Sequence, residues 1–211
     1  MAKLECGILG ATGVVGQRFI QLLEGHPRFK PTVLAASTRR AGKLYGDCAN
    51  WLLEKSIPDY ARDIELTGLG ADDIVASGVR LVFSALPADV AGPLEAELAG
   101  KGVCVFANAS SHRMDRHVPV LVPEVNANHL PIIQGQGTAG KIITNANCST
   151  TGLVMGLAPI RDLGIKRVIV TTYQALSGAG HPGVASYDIL GNVIPYIENE
   201  EGKLENSIQD E

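Results

Sequence analysis

Residues 4–16 read L-E-C-G-I-L-G-A-T-G-V-V-G, a short apolar run that passes straight into Gly10, Gly13 and Gly16. Beyond them Val14, Val15, Phe19, Ile20, Leu22 and Leu23 recur near helical spacing, so the stretch predicts strand, tight turn and helix. A glycine turn at that junction lets a pyrophosphate approach bare N–H groups at the positive end of a helix dipole. The glycine spacing is a variant of the dinucleotide fingerprint, and the same physics applies to it. An ordinary glycine-rich turn is the alternative, and the position after the first strand of an alternating chain favours the nucleotide.

That alternation runs outward from the turn. Residues 32–36, 81–84 and 103–107 read as strands, and residues 90–99 as a helix between the last two. Continuous apolar runs fit buried parallel strands, so the fold class is α/β, a Rossmann-like doubly wound sheet with ligands at the carboxyl ends of its strands. Residues 119–140 loosen into loops rich in Pro, Gly and Asn before a further strand at residues 141–146. A border after residue 147 divides a nucleotide-binding domain, residues 1–147, from the start of a second, α+β domain, residues 148–211. The second piece is expected to hold a helix at residues 148–163, a β-branched strand at residues 166–173 and a helix at residues 184–197. These are too few elements to close a domain, so a chain truncated on its carboxyl side is expected.

Composition narrows the partners. Hydrophobic residues make up 45% and charged residues 19% of the 211, ordinary for a globular enzyme. A formal net charge of -4 gives no basic footprint for nucleic acid. No apolar run approaches the roughly 20 residues that span a bilayer, and residues 1–9 lack a signal-peptide layout. A cytoplasmic protein without membrane or nucleic-acid partners is the expectation. Cys6, Cys48, Cys104 and Cys148 show no CxxC spacing, so neither a metal site nor a disulfide framework is expected.

After the second strand a carboxylate would select NAD, but Ser37, Thr38, Arg39 and Arg40 stand there. A guanidinium fork suits a 2'-phosphate, which points to NADP, although a solvated basic loop would have the same composition. Cys6 and Cys104 fall within strands as small hydrophobes, and Cys48 is undecided. Cys148 differs: it follows a strand in T-N-A-N-C-S-T-T-G and opens an apolar helix, with Asn147 before it and Ser149, Thr150 and Thr151 after it. The positive end of a helix dipole favours the thiolate, and the nearby N–H groups suit an oxyanion. A plain capping neighbour is the alternative.

Seven stretches in order, G-A-T-G-V-V-G, A-A-S-T-R-R-A-G-K-L-Y-G, S-A-L-P, N-A-S-S-H-R-M, V-P-E-V-N, T-N-A-N-C-S-T-T-G-L and Y-Q-A-L-S-G-A-G-H-P-G-V, resemble the aspartate-semialdehyde dehydrogenase family and span nearly the whole chain. H-P-G-V with D-I-L-G-N-V-I-P-Y-I resembles its archaeal and fungal branch. The resemblance implies NADP-dependent interconversion of aspartyl phosphate and aspartate semialdehyde, in the route to lysine, methionine and threonine. It also implies that the second piece belongs to a catalytic and dimerisation domain, with a homodimer or homotetramer at full length.

By matching positions, the resemblance makes Cys148 the nucleophile with Asn147 and Gln174 beside it. Gly10, Thr12, Gly13, Val14 and Val15 would hold the pyrophosphate, and Ser37, Thr38, Arg39 and Arg40 the 2'-phosphate. Ser84, Ala85, Leu86 and Pro87 would line the nucleotide cleft, and Ser177, Gly178, Ala179 and Gly180 the nicotinamide side. Asn108 and Arg113 would bind the substrate phosphate, with Glu200 at its amino group and Lys203 at phosphate. From spacing alone Arg113 reads equally as a surface arginine, Gln174 as a structural amide, and E-E-G-K as part of an acidic tail.

Two departures from the family pattern stand out. Arg40 replaces a more common serine, and the family's catalytic histidine and carboxylate-binding arginine lie beyond Glu211, so the 211 residues alone are expected to be inactive or nearly so. His181, in G-H-P-G, is read as structural. The rivals are malonyl-CoA reductase, N-acetyl-glutamyl-phosphate reductase, whose cysteine sits in a different motif, and a non-catalytic NADP-binding protein.

Overall fold

In the computed structural model, residues 2–179, 183–197, 200–202 and 204 are described. The central strand β1 (Leu4–Leu9) leads through the glycine turn into α1 (Val14–Leu22). β2 (Phe29–Ala35) returns beside it, followed by the single turns α2 (Tyr45–Cys48) and α3 (Asp59–Arg62), then β3 (Leu66–Thr67) and α4 (Ala71–Ala76). β4 (Leu81–Ser84), α5 (Ala88–Gly100) and β5 (Cys104–Ala107) complete the next crossover. β6 (Val120–Leu121), α6 (Pro123–Asn126), a 3-10 stretch Ala127–Gly135 and β7 (Ile142–Asn145) follow.

The strand order is β3-β2-β1-β4-β5-β7-β6, and the β1/β2, β1/β4, β2/β3, β4/β5 and β5/β7 pairs are parallel. The chain reverses its direction of winding between β1 and β4, the switch point where doubly wound sheets bind ligands. Register explains how the binding edge forms. Thr67, Ala35, Leu9, Ser84, Ala107 and Thr144 stand in one row across the sheet, so the residues that follow each strand emerge along a single edge.

Alternation along β1 sorts the core into two layers. Cys6 and Ile8 pack with Ile20, Leu34, Tyr45 and Leu66, while Leu9 packs on the other face with Ile74, Val82, Leu98 and Val105. Apolar faces buried on both sides hold α1 on one layer and α5 on the other, through an area-proportional gain of roughly 25 cal/mol per Å².

The chain divides into two compact units, one of Met1–Val120 with His129–Asn145, the other of Leu121–Asn128 with Ala146–Glu211. In the second, α7 (Cys148–Leu157) continues as a 3-10 stretch, Ala158–Leu163, because Pro159 removes an α-helical donor. Residues 166–173 do not form the expected strand: they carry no ladder partner among the described residues, and β-branched composition alone cannot supply one. The expected helix at residues 184–197 is reduced to the turn α8 (Ser186–Ile189), and residues 191–197 have no helical assignment. Residues 119–140, expected as loop, hold β6, α6 and the 3-10 stretch instead.

Candidate active site

The edge beyond β1 is shaped by two glycines that nothing else fits, Gly10 and Gly16. Gly10 has φ +73, and a Cβ there would lie 2.7 Å from the Ala85 carbonyl oxygen, which brings the loop after β1 against the loop after β4. At Gly16 a Cβ would meet the Gly10 carbonyl oxygen at 2.2 Å, so only glycine lets α1 start so close to the strand. Gly13 caps α1 without a side-chain hydrogen bond, and a Cβ on it would meet only the Gly10 oxygen, 3.4 Å away. Bare N–H groups of Val14 and Val15 therefore open the helix, the arrangement a pyrophosphate requires. Buried Gln17 braces the turn: its Nε2 donates to the Thr12 and Asn50 carbonyls at 3.1 and 2.8 Å, and its Oε1 accepts from Leu52 N at 2.8 Å.

Ser37, Thr38 and Arg39 follow β2 on the same edge and are exposed, with Arg40 half-buried. The turn closes through Arg40 N to the Ser37 carbonyl at 2.8 Å, and Arg39 forms no ion pair among the described residues. Its guanidinium is thus available to an anion. Ala85, Leu86 and Pro87 follow β4, while Ser84 is fully buried and its hydroxyl lies beneath the loop rather than on its surface.

Asn108 leaves β5 and Asn145 ends β7, two neighbouring strands, and Asn145 Nδ2 donates to Asn108 Oδ1 at 2.8 Å. Arg113 lies in the turn-rich loop after β5, where its Nη2 donates to the Asn108 carbonyl at 2.8 Å. Sequence reasoning singled out Asn108 and Arg113 but missed Asn145, whose only signal was its place at a strand end.

In the second unit a compact polar group surrounds the start of α7. Asn147 is the N-cap, its Oδ1 accepting from Thr150 N at 2.7 Å, and Cys148 is the first helical residue, with an exposed side chain. By helix geometry the Cys148 and Ser149 N–H groups have no acceptor inside α7. The Glu200 carboxylate accepts through Oε1 from Ser149 Oγ at 2.9 Å, Gln174 Nε2 at 2.9 Å and Asn147 Nδ2 at 3.3 Å. Gln174 Nε2 also reaches Ser149 Oγ at 2.7 Å, and Ser149 Oγ lies 4.0 Å from the Cys148 sulfur. Residues distant in sequence thus converge on Ser149, the neighbour of the thiol, which was noted from sequence only as a small polar residue and joins Gln174 to Glu200. Ser177, Gly178 and Ala179 form a 3-10 turn (Leu176–Ala179) just after Gln174. Gly180, His181 and Lys203 lie outside the described residues.

The remaining thiols are built differently. Cys6 is fully buried and its thiol is pushed up to about 11, chiefly by burial and against a backbone hydrogen bond at Lys30. Cys48 and Cys104 are half-buried. Cys104, expected to be buried in its strand, shows partial exposure on β5.

These features define a class: a doubly wound dinucleotide-binding domain joined to a segment that presents an exposed thiol at a helix start. The chain belongs to the semialdehyde dehydrogenase family, matching its NAD-binding domain over residues 5–132 and its dimerisation domain over residues 157–211. It is 50% identical over 207 residues to an aspartate-semialdehyde dehydrogenase of Archaeoglobus fulgidus, covering 96% of this chain and 60% of the relative. To that of Saccharomyces cerevisiae it is 46% identical over 215 residues, covering 96% and 58%. The crystal structure of aspartate semialdehyde dehydrogenase with NADP from Candida albicans superposes with a TM-score of 0.85 at 40% identity, over 97% of this chain and 59% of that one. The chain therefore spans about three-fifths of the length of the curated relatives it matches.

Proposed function

We propose that the complete protein is an NADP-dependent aspartate-semialdehyde dehydrogenase, which reduces L-aspartyl 4-phosphate to L-aspartate 4-semialdehyde and inorganic phosphate through a thioester on Cys148. The observation that carries the reading is the Cys148 thiol, exposed at the N-terminus of α7 beside Ser149, whose hydroxyl Gln174 and Glu200 hold. Naming of the relatives for aspartate semialdehyde, rather than malonyl-CoA, supports the substrate, and the NADP in the Candida albicans structure supports the cofactor.

Bound NADPH supplies the hydride that reduces the thioester. The chain's own groups do the rest. Sulfur attack on the acyl phosphate forms a C–S bond and, as the tetrahedral adduct collapses, breaks the C–O bond to phosphate, which leaves with its electron pair. Negative charge on the carbonyl oxygen is met by the first-turn N–H groups of α7, preorganised by the Asn147 cap. Gln174 and Glu200 orient the substrate, the carboxylate through the substrate's ammonium group. Asn108, Arg113 and, outside the described residues, Lys203 neutralise the phosphate. Gly10, Thr12, Gly13, Val14 and Val15 hold the pyrophosphate, Ser37, Thr38, Arg39 and Arg40 the 2'-phosphate, and Ala85, Leu86, Pro87, Ser177, Gly178, Ala179 and Gly180 the remainder of the nucleotide. The dimerisation-domain match supports self-association, read here as a homodimer or homotetramer of the complete protein in the cytoplasm.

Steady-state kinetics of the complete enzyme test the reading. NADPH is expected to exceed NADH by about tenfold or more in kcat/KM, since one well-made charged hydrogen bond is worth about 1.5 to 3 kcal/mol. Aspartyl phosphate is expected to be reduced and malonyl-CoA not. Preference for NADH, or turnover of malonyl-CoA alone, would contradict the assignment.

A further inference from the structure

α5 carries a carboxyl group that the chemistry above does not use. Glu95 is fully buried in the helix, its oxygens make no hydrogen bond among the described residues, and burial raises its pKa despite His112 and the nearby Ser84 hydroxyl. Facing it is His112, in the middle of the Asn108 to Arg113 loop, with a side chain only 13% exposed and Nε2 3.8 Å from Glu95 Oε2. His112 Nε2 also lies 3.1 Å from the Gly92 carbonyl oxygen of α5, and Nδ1 lies 2.7 Å from Asp115 Oδ2. Both partners are acceptors.

The same loop touches α5 twice more. Ser111 Oγ donates to the Ala88 carbonyl at 2.8 Å, and Ser111 Cβ lies where a Cβ on Gly92 would be 3.3 Å away, so glycine in the helix leaves the loop its seat. Inside the loop, Arg113 is tied to the Asn108 carbonyl. Moving His112 therefore moves both groups assigned to phosphate.

We propose that His112 is a positioning residue for phosphate, its ring held between Glu95 of α5 and Asp115 of its own loop so that it fixes where Asn108 and Arg113 meet the phosphate oxygens. The proposal rests on the reading of Asn108 and Arg113 as phosphate ligands. The groups facing the ring are Glu95 and the Gly92 carbonyl from α5 and Asp115 from the loop, with the Ser84 hydroxyl of β4 behind Glu95.

The test measures KM for inorganic phosphate in the oxidative direction with the complete enzyme and with Arg113→Ala, His112→Asn and Glu95→Gln. Arg113→Ala reports on the assignment of phosphate itself. If it leaves the phosphate KM unchanged, the loop is not the phosphate site and both readings fall. If it raises that KM, His112→Asn and Glu95→Gln are each expected to raise it on the order of tenfold, with KM for NADP unchanged, because small misplacements of binding groups cost rates of that size. A phosphate KM unaltered in both variants would overturn the clamp alone. Glu95→Gln keeps the test open if His112→Asn fails to fold, and it is expected to raise the melting temperature while weakening phosphate, a pairing that a purely structural role would not produce. Nitrogen-15 spectra of labelled histidine supply a readout apart from activity: the His112 ring signals are expected to change on Glu95→Gln, and ring signals unaltered by that substitution would refute the proposal.

Discussion

Two thiols in this chain have opposite surroundings, and their chemistry should follow. Cys6 is sealed beneath the sheet with its thiol pushed up to about 11, whereas Cys148 is exposed at the start of α7. Alkylation of the folded protein by iodoacetamide, followed by peptide mass spectrometry, is expected to modify Cys148 first and Cys6 only on unfolding. Equal rates would refute the contrast. Glu95 gives the second prediction at this scale. Its folded pKa is raised, mainly by burial, so its contribution to stability is greatest when it is protonated and is lost as pH rises through the folded value. Glu95→Gln is therefore expected to gain in stability on the wild type as pH rises, with the gain shrinking toward acid, in urea titrations at several pH values. The places of Asn147, Cys148 and the glycines at helix starts could be read from the chain because they follow from local geometry. Glu95 could not: a glutamate within an apolar helix says nothing about a histidine on the next loop.

Between elements, the turn from β1 to α1 is held by close approach and by one buried amide. Gly16→Ala would put a Cβ 2.2 Å from the Gly10 carbonyl oxygen, so the turn has to open. Fluorescence titration is expected to show loss of NADPH binding, and wild-type affinity would contradict this account of the turn. Gln17→Leu strips the Thr12 and Asn50 carbonyls and the Leu52 N–H of their partner. It is expected to cost roughly 1 to 3 kcal/mol in chemical denaturation and to weaken NADPH, because buried backbone groups left unpaired carry their desolvation penalty. Strands β1, β2, β4, β5 and β7 were legible as apolar runs bounded by glycine, and α5 as a periodic stretch. The short elements α2, α3, β3 and α4 were not, since two to six residues carry too little periodicity to separate from loop. In residues 166–173 β-branched composition predicted a strand that has no described partner, which illustrates that pairing makes a strand while propensity only permits it.

At the scale of the whole molecule, the parallel order β3-β2-β1-β4-β5-β7 aligns the strand ends on one edge, and residues 10–15, 37–40 and 85–87 follow strands on it. That much followed from the alternation of apolar runs. The polar group around Cys148 did not, because Ser149, Gln174 and Glu200 are brought together only by the folding of the second unit. Ile169, Tyr173, Tyr187 and Leu190 in that unit are exposed. The central claim is that the acyl group passes through the Cys148 sulfur. Mass spectrometry of the complete enzyme given aspartate semialdehyde and NADP without phosphate tests it most directly, since oxidation should then stop at the thioester. An aspartyl adduct on the Cys148 peptide, removed by phosphate and absent in Cys148→Ser, is the predicted result; NADPH formation with that peptide unmodified, or sustained turnover by Cys148→Ser, would contradict it.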